Sequence, residues 1–186
     1  MTLELTRHQF NVDDYDRMAA TGVLGDDDRV ELIEGEILEM SPIGDKHIGC
    51  VRRCNYIFSR ILGDRVVIDV QSSARINDRS QPQPDLMLLR SVPEMLRDVT
   101  PRPEDVLLLI EVADSSLDFD RQVKIPLYAR SNIAEFWLVN IPQGVIEVYR
   151  DPTPDGYRTV LIARRGDQIS PLAFLDASIL VDSILG

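Results

Sequence analysis

Apolar and polar positions along this chain follow three different periods, and each predicts a different element. Val106 to Ile110 form an unbroken apolar run that continues, after Glu111, through Val112 and Ala113, with Pro103 before it and Asp114-Ser115-Ser116 after. A short run with such flanks predicts a central strand buried on both faces. Residues 29–40 instead alternate, which predicts a β-hairpin turning at Glu34-Gly35, with Val30, Leu32 and Ile37 on the face opposite Glu31 and Glu36. In 45–63, Ile48, Val51, Phe58 and Leu62, flanked by Cys54 and Ile61, repeat at three- and four-residue steps, predicting the best helix, stopped by Gly63-Asp64. A shorter helix is predicted over 12–20, with Asn11 as N-cap, acids in its first turn and Gly22 beyond its end.

The remaining pattern predicts strands at 3–10, 66–70, 73–77 and 85–89, a solvated turn at 26–28 and a loop at 78–84. A short helix is expected at 92–98. A longer one is expected at 119–131, started by Asp118, with Val123, Leu127 and Tyr128 inward and Pro126 bending or shortening it. Residues 134–140 and 145–150 read as paired strands joined around Pro142-Gln143-Gly144; 157–163 continues the antiparallel pattern and 180–185 closes the chain. With no repeat, linker or low-complexity tract, residues 1–186 read as a single α/β domain with a mixed sheet.

Charge narrows the function classes. A formal net charge of −11 argues against a passive nucleic-acid binder, which carries a basic face. It leaves room for an enzyme that meets nucleic acid through a local basic cleft and divalent cations, and Arg52, Arg53, Arg75, Arg79, Arg121 and Arg130 are candidates to line such a cleft. The two cysteines, Cys50 and Cys54, share one predicted helix at a spacing poor for a disulfide. No basic-then-apolar leader opens the sequence and no apolar run spans a bilayer, so a reduced, cytoplasmic protein is expected.

Glu111 is the position that calls for chemistry. An unpaired charge buried in a central strand costs several kcal/mol, so a carboxylate there requires a cationic partner, a metal, or a strand end opening on a cleft. Asp85 follows a proline at the start of another predicted strand, and Lys124 lies on the helix after Glu111. Two carboxylates on neighbouring strands suit Mg²⁺, and an ammonium nearby would balance them and stabilise developing charge. In isolation Asp85 is also an ordinary turn acid and Lys124 an ordinary solvated helix residue. His47, Cys50 and Cys54 share an arc of the long helix, but with no fourth ligand nearby they make a poor zinc site; the cysteines read as packing, and His47 as a cleft border or a hydrogen-bonded structural histidine. Neither a glycine-rich phosphate loop nor a Gly-x-Ser-x-Gly elbow is present.

Arg29-Val-Glu-Leu-Ile-Glu-Gly-Glu36, Ser41-Pro42 with His47, Gln81-Pro-Gln-Pro-Asp-Leu86, Ile110-Glu-Val-Ala-Asp-Ser-Ser116, Asp120-Arg-Gln-Val-Lys124, Leu127-Tyr128-Ala129 and Glu135-Phe-Trp-Leu-Val139, taken in order, resemble the restriction endonuclease (Uma-two) family of the PD-(D/E)XK nuclease superfamily. The resemblance runs from about Phe10 to Leu185, with the motifs concentrated in about 29–140. It implies a restriction-endonuclease-like fold, a mixed β-sheet flanked by helices, and hydrolysis of phosphodiester bonds, most often in DNA, with Mg²⁺ or Mn²⁺. Carried over by residue, Asp85 and Glu111 are the metal-holding carboxylates, and Glu31 is an acidic hairpin position that completes the site. The simple pattern would place lysine where this chain has Ala113, and the family supplies it from the next helix, here Lys124. A homodimer fits such nucleases, which often cut two strands with two subunits. The rival expectation is a non-catalytic module of the same fold that binds a protein or nucleic-acid partner, with Asp85, Glu111 and Lys124 as a structural ion network.

Overall fold

A computed structural model of the chain describes residues 7–25 and 27–186. The first half of the strand expected at 3–10, and Asp26 of the expected turn, lie outside the described residues. Arg7 to Phe10 form no strand, although the Phe10 N–H donates to the Gly35 carbonyl at 2.9 Å.

Helix α1 (Val12–Ala20) begins where its sequence says it should: Asn11 accepts from the Asp14 N–H, and the Asp14 carboxylate accepts from the Asn11 N–H in return. Strands β1 (Val30–Ile33) and β2 (Glu36–Glu39) form the hairpin. Its turn residues Glu34 and Gly35 both have positive φ, 50° and 85°, the conformation that a two-residue hairpin loop demands. A Cβ on Gly35 would also come within 2.7 Å of the Gln9 side chain, so the position accepts only glycine.

Helix α2 (Asp45–Leu62) follows, with Cys50, Val51, Cys54, Phe58 and Leu62 on its buried side. Six strands then build the main sheet: β3 (Val66–Val70), β4 (Leu86–Arg90), β5 (Val106–Ala113), β6 (Glu135–Asn140), β7 (Val145–Thr153) and β8 (Gly156–Arg164). They lie in sequence order, antiparallel throughout except for the parallel β5–β6 pair. That parallel step needs a crossover, and the chain supplies it with α3 (Leu117–Phe119), a π-helical turn (Asp120–Lys124) and α4 (Ile125–Arg130). A two-residue pair, β9 (Gln168–Ile169) with β10 (Ile179–Leu180), and α5 (Val181–Leu185) close the chain.

The sheet carries a core on each face. On one side Leu86, Leu88, Leu108, Ile110 and Trp137 meet Cys50, Cys54 and Phe58 of α2. On the other, Met87, Leu89, Leu109, Phe136 and Leu138 meet Leu127 and Tyr128 of α4. Alternate residues of β4 and β5 thus feed opposite cores, which is why the apolar run in β5 is unbroken.

Two expectations need correction. Residues 73–77 form no strand: Ala74, Arg75 and Ile76 donate to the carbonyls of Pro82, Pro101 and Ser80, so their backbone groups are spent on loops rather than a ladder. The helix at 92–98 is a single 3₁₀ turn, Pro93–Leu96. The sequence reading also gave no role to Glu135, which is completely buried at the start of β6 and accepts from Trp137 Nε1 at 2.9 Å, Arg150 Nε at 2.8 Å and the Leu172 N–H at 2.5 Å. Arg150 in turn donates to the Ser170 carbonyl, so this one carboxylate ties β6, β7 and the C-terminal segment together. Glu135→Ala strands three donors, the buried Trp137 Nε1 and the half-buried Arg150 Nε and Leu172 N–H, and is expected to cost about 3 kcal/mol in unfolding free energy, the low end of the range for breaking a buried ion pair from one side. Urea denaturation of the two proteins measures it, and a loss below about 1 kcal/mol would refute the role assigned to Glu135.

Candidate active site

Register brings the first two carboxylates together. Leu86 pairs with Ile110 across β4 and β5, and continuing that register one step sets Asp85, just ahead of β4, opposite Glu111. Opposed residues of an antiparallel pair share a face, here the one covered by α4. The Val112 N–H donates to Asp85 Oδ2 at 2.9 Å, holding the two strand ends in place.

The crossover supplies the ammonium. Pro126 has no N–H to donate back into the helix, and the turn before it widens, with the Ile125 N–H donating to the Asp120 carbonyl five residues back. The widened turn buries Asp120 and Lys124 together. Lys124 Nζ stands 3.0 Å from Glu111 Oε1 and 3.3 Å from Glu31 Oε2, and the Tyr128 hydroxyl donates to the same Glu111 oxygen at 2.8 Å. Glu31 comes from β1, on the face of the hairpin opposite Leu32, and its Oε2 also accepts from the Gln83 N–H at 3.2 Å.

His47 reaches the site from the first turn of α2: its Nε2 lies 2.7 Å from Asp85 Oδ1, which also accepts from Gln71 Nε2 at 3.3 Å. Glu31, His47, Asp85, Glu111 and Lys124, the residues singled out in the sequence, all line one cleft of about 390 Å³. Arg29, Gln83, Asp114, Ser116 and Asp120 line it as well.

The electrostatics of the cleft are those of too much acid for its cations. Glu31, Asp85, Glu111 and Asp120 are all nearly buried, against one buried ammonium, one imidazole and the exposed Arg29 at the rim. Burial pushes the Glu111 carboxyl up to about 8, against the pull of Lys124 and with help from Asp85, Asp120 and Glu31. Burial likewise raises Asp120, while Lys124 and the Ser116 hydroxyl oppose the shift. Burial alone would lower Lys124, but Glu111, Glu31 and Asp120 together hold it above its ordinary value. For His47 the bond to Asp85 outweighs burial and raises it.

This donor set fits a divalent cation in charge and chemistry. Among the described residues nothing bonds Glu111 Oε2, and since none of their buried side-chain oxygens or nitrogens lacks a partner, that oxygen opens on the cleft. Among the described residues no three His, Cys, Asp or Glu side chains stand gathered as a ready ligand cage. Mg²⁺ does not ask for one, since it is commonly held by one or two carboxylates and keeps several waters.

One sequence expectation resolves differently. Arg52, Arg53, Arg75, Arg79, Arg121 and Arg130 do not line the cleft. Arg75 is paired with Asp13 and Asp78, Arg121 with Glu147, Arg130 with Glu34, and Arg53 donates to the Ile184 and Leu185 carbonyls. The open cation of the cleft is Arg29 instead. Cys50 and Cys54 are buried packing, as the sequence reading had them. Asp120 and Gln83 received no role from the sequence and Tyr128 only an inward-facing one; all three lie inside the motif segments, and only the spatial overlap of hairpin, loop and helix brings them to the cleft carboxylates.

Among the described residues no helix is long and apolar enough to cross a membrane. A search of curated proteins finds no match. Among solved structures, the chain is similar to a protein from Anabaena variabilis ATCC 29413 whose crystal structure is described as that of "a putative nuclease belonging to DUF820". The two superpose with a TM-score of 0.74 at 14% sequence identity, over 95% of this chain and 97% of the other, a likeness of fold. The family model named Uma2, described as "Putative restriction endonuclease", matches residues 12–182, and the chain belongs to that family.

Proposed function

We propose that this protein is a divalent-metal-dependent nuclease that hydrolyses phosphodiester bonds, with DNA as its substrate, and that the chain 1–186 acts as one nuclease-fold unit whose motif-bearing core is about 29–140. The observation that carries the reading is the meeting, at one cleft, of opposed Asp85 and Glu111 with Lys124 buried between Glu111 and Glu31. Four clefted carboxylates with so little compensating charge are costly to maintain for stability alone, and a cation would relieve that cost.

Asp85 and Glu111 would hold Mg²⁺ or Mn²⁺. When bound, the ion supplies Lewis acidity toward the phosphodiester and lowers the pKa of an attacking water. The chain's own residues do the rest. Lys124, fixed by Glu31, Glu111 and a surrounding that favours its charged form, presents an ammonium to the developing negative charge. Tyr128 and Lys124 together fix the orientation of Glu111 through Oε1, leaving Oε2 for the cation. His47, Gln71 and the Val112 N–H fix Asp85.

The rival reading, a non-catalytic binding module, draws on one observation: both oxygens of Asp85 already have protein donors. The same substitutions separate the two. A calorimetric Mn²⁺ titration, with and without a short duplex, is expected to show saturable binding that Asp85→Ala abolishes. Glu111→Gln is expected to lower duplex cleavage at least about 10²-fold, the scale of losing one charge-stabilising group, with the fold kept. No Mn²⁺ binding by the wild type, or undiminished cleavage by Glu111→Gln, would sink the nuclease assignment.

A pH dependence follows from the raised Glu111. A carboxyl whose folded pKa exceeds its unfolded value of 4.5 contributes stability that is complete below that value and lost as pH rises through about 8. The metal-free protein should therefore melt at progressively lower temperature between about pH 5 and 8.5, and Glu111→Gln should flatten that slope and melt higher at the alkaline end. Mn²⁺ affinity should rise over the same interval, because binding displaces the proton. Thermal melts in both proteins check this. A Glu111→Gln variant that melts lower at every pH would favour a structural ion network.

A further inference from the structure

Strand β8 is one edge of the main sheet, and its centre lacks the charges and prolines that usually keep an edge from pairing. It runs nine residues, Gly156–Arg164, without proline or lysine. At its centre Val160, Leu161 and Ile162 are exposed by 47, 51 and 47%, on both faces of the strand. Among the described residues no strand pairs with the outer edge of β8, so three consecutive apolar side chains left open there form a template for a further strand.

We infer that β8 pairs antiparallel with β8 of a second copy of this chain, about a two-fold axis through Val160. The sequence of the strand favours this occupant. Val160 is the midpoint of Gly156–Arg164, so a register centred there aligns the whole strand with its partner and pairs residues 157–163, while the ends keep their own turns: the Arg164 N–H donates to Asp167 Oδ2 at 2.8 Å and the Gly156 carbonyl accepts from the Thr153 hydroxyl at 2.7 Å. It sets Val160 against Val160, Leu161 against Thr159 and Ile162 against Arg158. The two arginines of the strand, Arg158 and Arg164, therefore never oppose one another: Arg158 lies along Ile162, and Arg164 lies beside Gly156. A register one residue later, centred on Leu161, sets Arg158 directly against Arg164 at both ends, which like-charge repulsion disfavours. The strand is thus complementary to itself in length, apolar centre and charge, as a closed two-fold contact requires. A single strand pair buries less than the 1,200–2,000 Å² of a standard interface, so the dimer is of the concentration-dependent kind.

The test is sedimentation velocity from low micromolar to several hundred micromolar protein. Wild type is expected to shift from monomer to dimer across that range. Val160→Lys, which faces two ammonium groups across the axis, should remain monomeric with an unchanged melting temperature, since the side chain is open to solvent. Val160→Cys reads the register, because Cys50 and Cys54 are buried. On mild oxidation it should form an intermolecular disulfide, which the Leu161→Cys variant should form at least about tenfold more slowly. Wild type that stays monomeric, growth beyond the dimer, a dimer indifferent to Val160→Lys, or equal cross-linking at the two cysteine positions would each overturn the proposal.

Discussion

The arrangement at the cleft depends on one ammonium held between two carboxylates in a place where water is scarce. Lys124 is 5% exposed, and its partners Glu31 and Glu111 are 3 and 4% exposed. Any one of these charges alone would be costly to bury, and Asp120 on the same turn adds to the field that keeps Lys124 charged. The three come from different elements: Glu31 from β1, Glu111 from β5 and Lys124 from the π-helical turn. The hairpin, the sheet and the crossover must therefore be docked together before the charges are satisfied. The same interaction that joins the three charges also fixes the position of the hairpin over the sheet.

The π-helical turn shows how a local irregularity serves this constraint. Proline inside a helix removes a donor, and here the helix widens before Pro126 instead of ending. The widening places Asp120 and Lys124 inward together, while Arg121 on the same turn is held by Glu147 from β7. Glu147 also accepts from the Asn140 amide and the Tyr149 hydroxyl, at 3.0 and 2.6 Å. One turn of chain is thus fixed on two sides, by the cleft carboxylates and by the far half of the sheet. The sequence alone gave Pro126 as a bend, and the structure makes it part of the reason that Lys124 points where it does.

The legibility of each feature in the sequence depended on how local its cause was. The hairpin, α1, α2 and the buried β5 follow from periodicity and caps within a few residues, and they stand where the pattern put them. Glu111 stood out because a carboxylate in an apolar run has few explanations, and Asp85 through the motif resemblance. Residues 73–77 misled because an apolar alternation of Ala74 and Ile76 looks the same whether the backbone joins a ladder or bonds to loops. Asp120 was silent, and Tyr128 read only as an inward residue, because nothing in their own neighbourhood reveals that Glu111 lies across from them. The arginines misled for the opposite reason: each looks free in sequence, and its acid partner is often remote.

Those pairings bear on how an acidic protein meets an acidic substrate. Arg75, Arg121, Arg130 and Arg150 are bound to acids that hold loops and strands in place, so these four are spent on the fold and not on a basic face at the cleft. The cleft itself is lined by Glu31, Glu39, Asp85, Glu111, Asp114 and Asp120 against Arg29, His47 and Lys124. A phosphodiester approaching that surface is repelled until the carboxylates are neutralised, by protons or by a divalent ion. A proton on Glu111, whose carboxyl titrates near 8, would relieve the repulsion but would also block the oxygen that a cation needs. Only a cation both neutralises the acids and leaves their oxygens engaged, so on the nuclease reading metal loading and substrate entry are coupled through the same excess of negative charge.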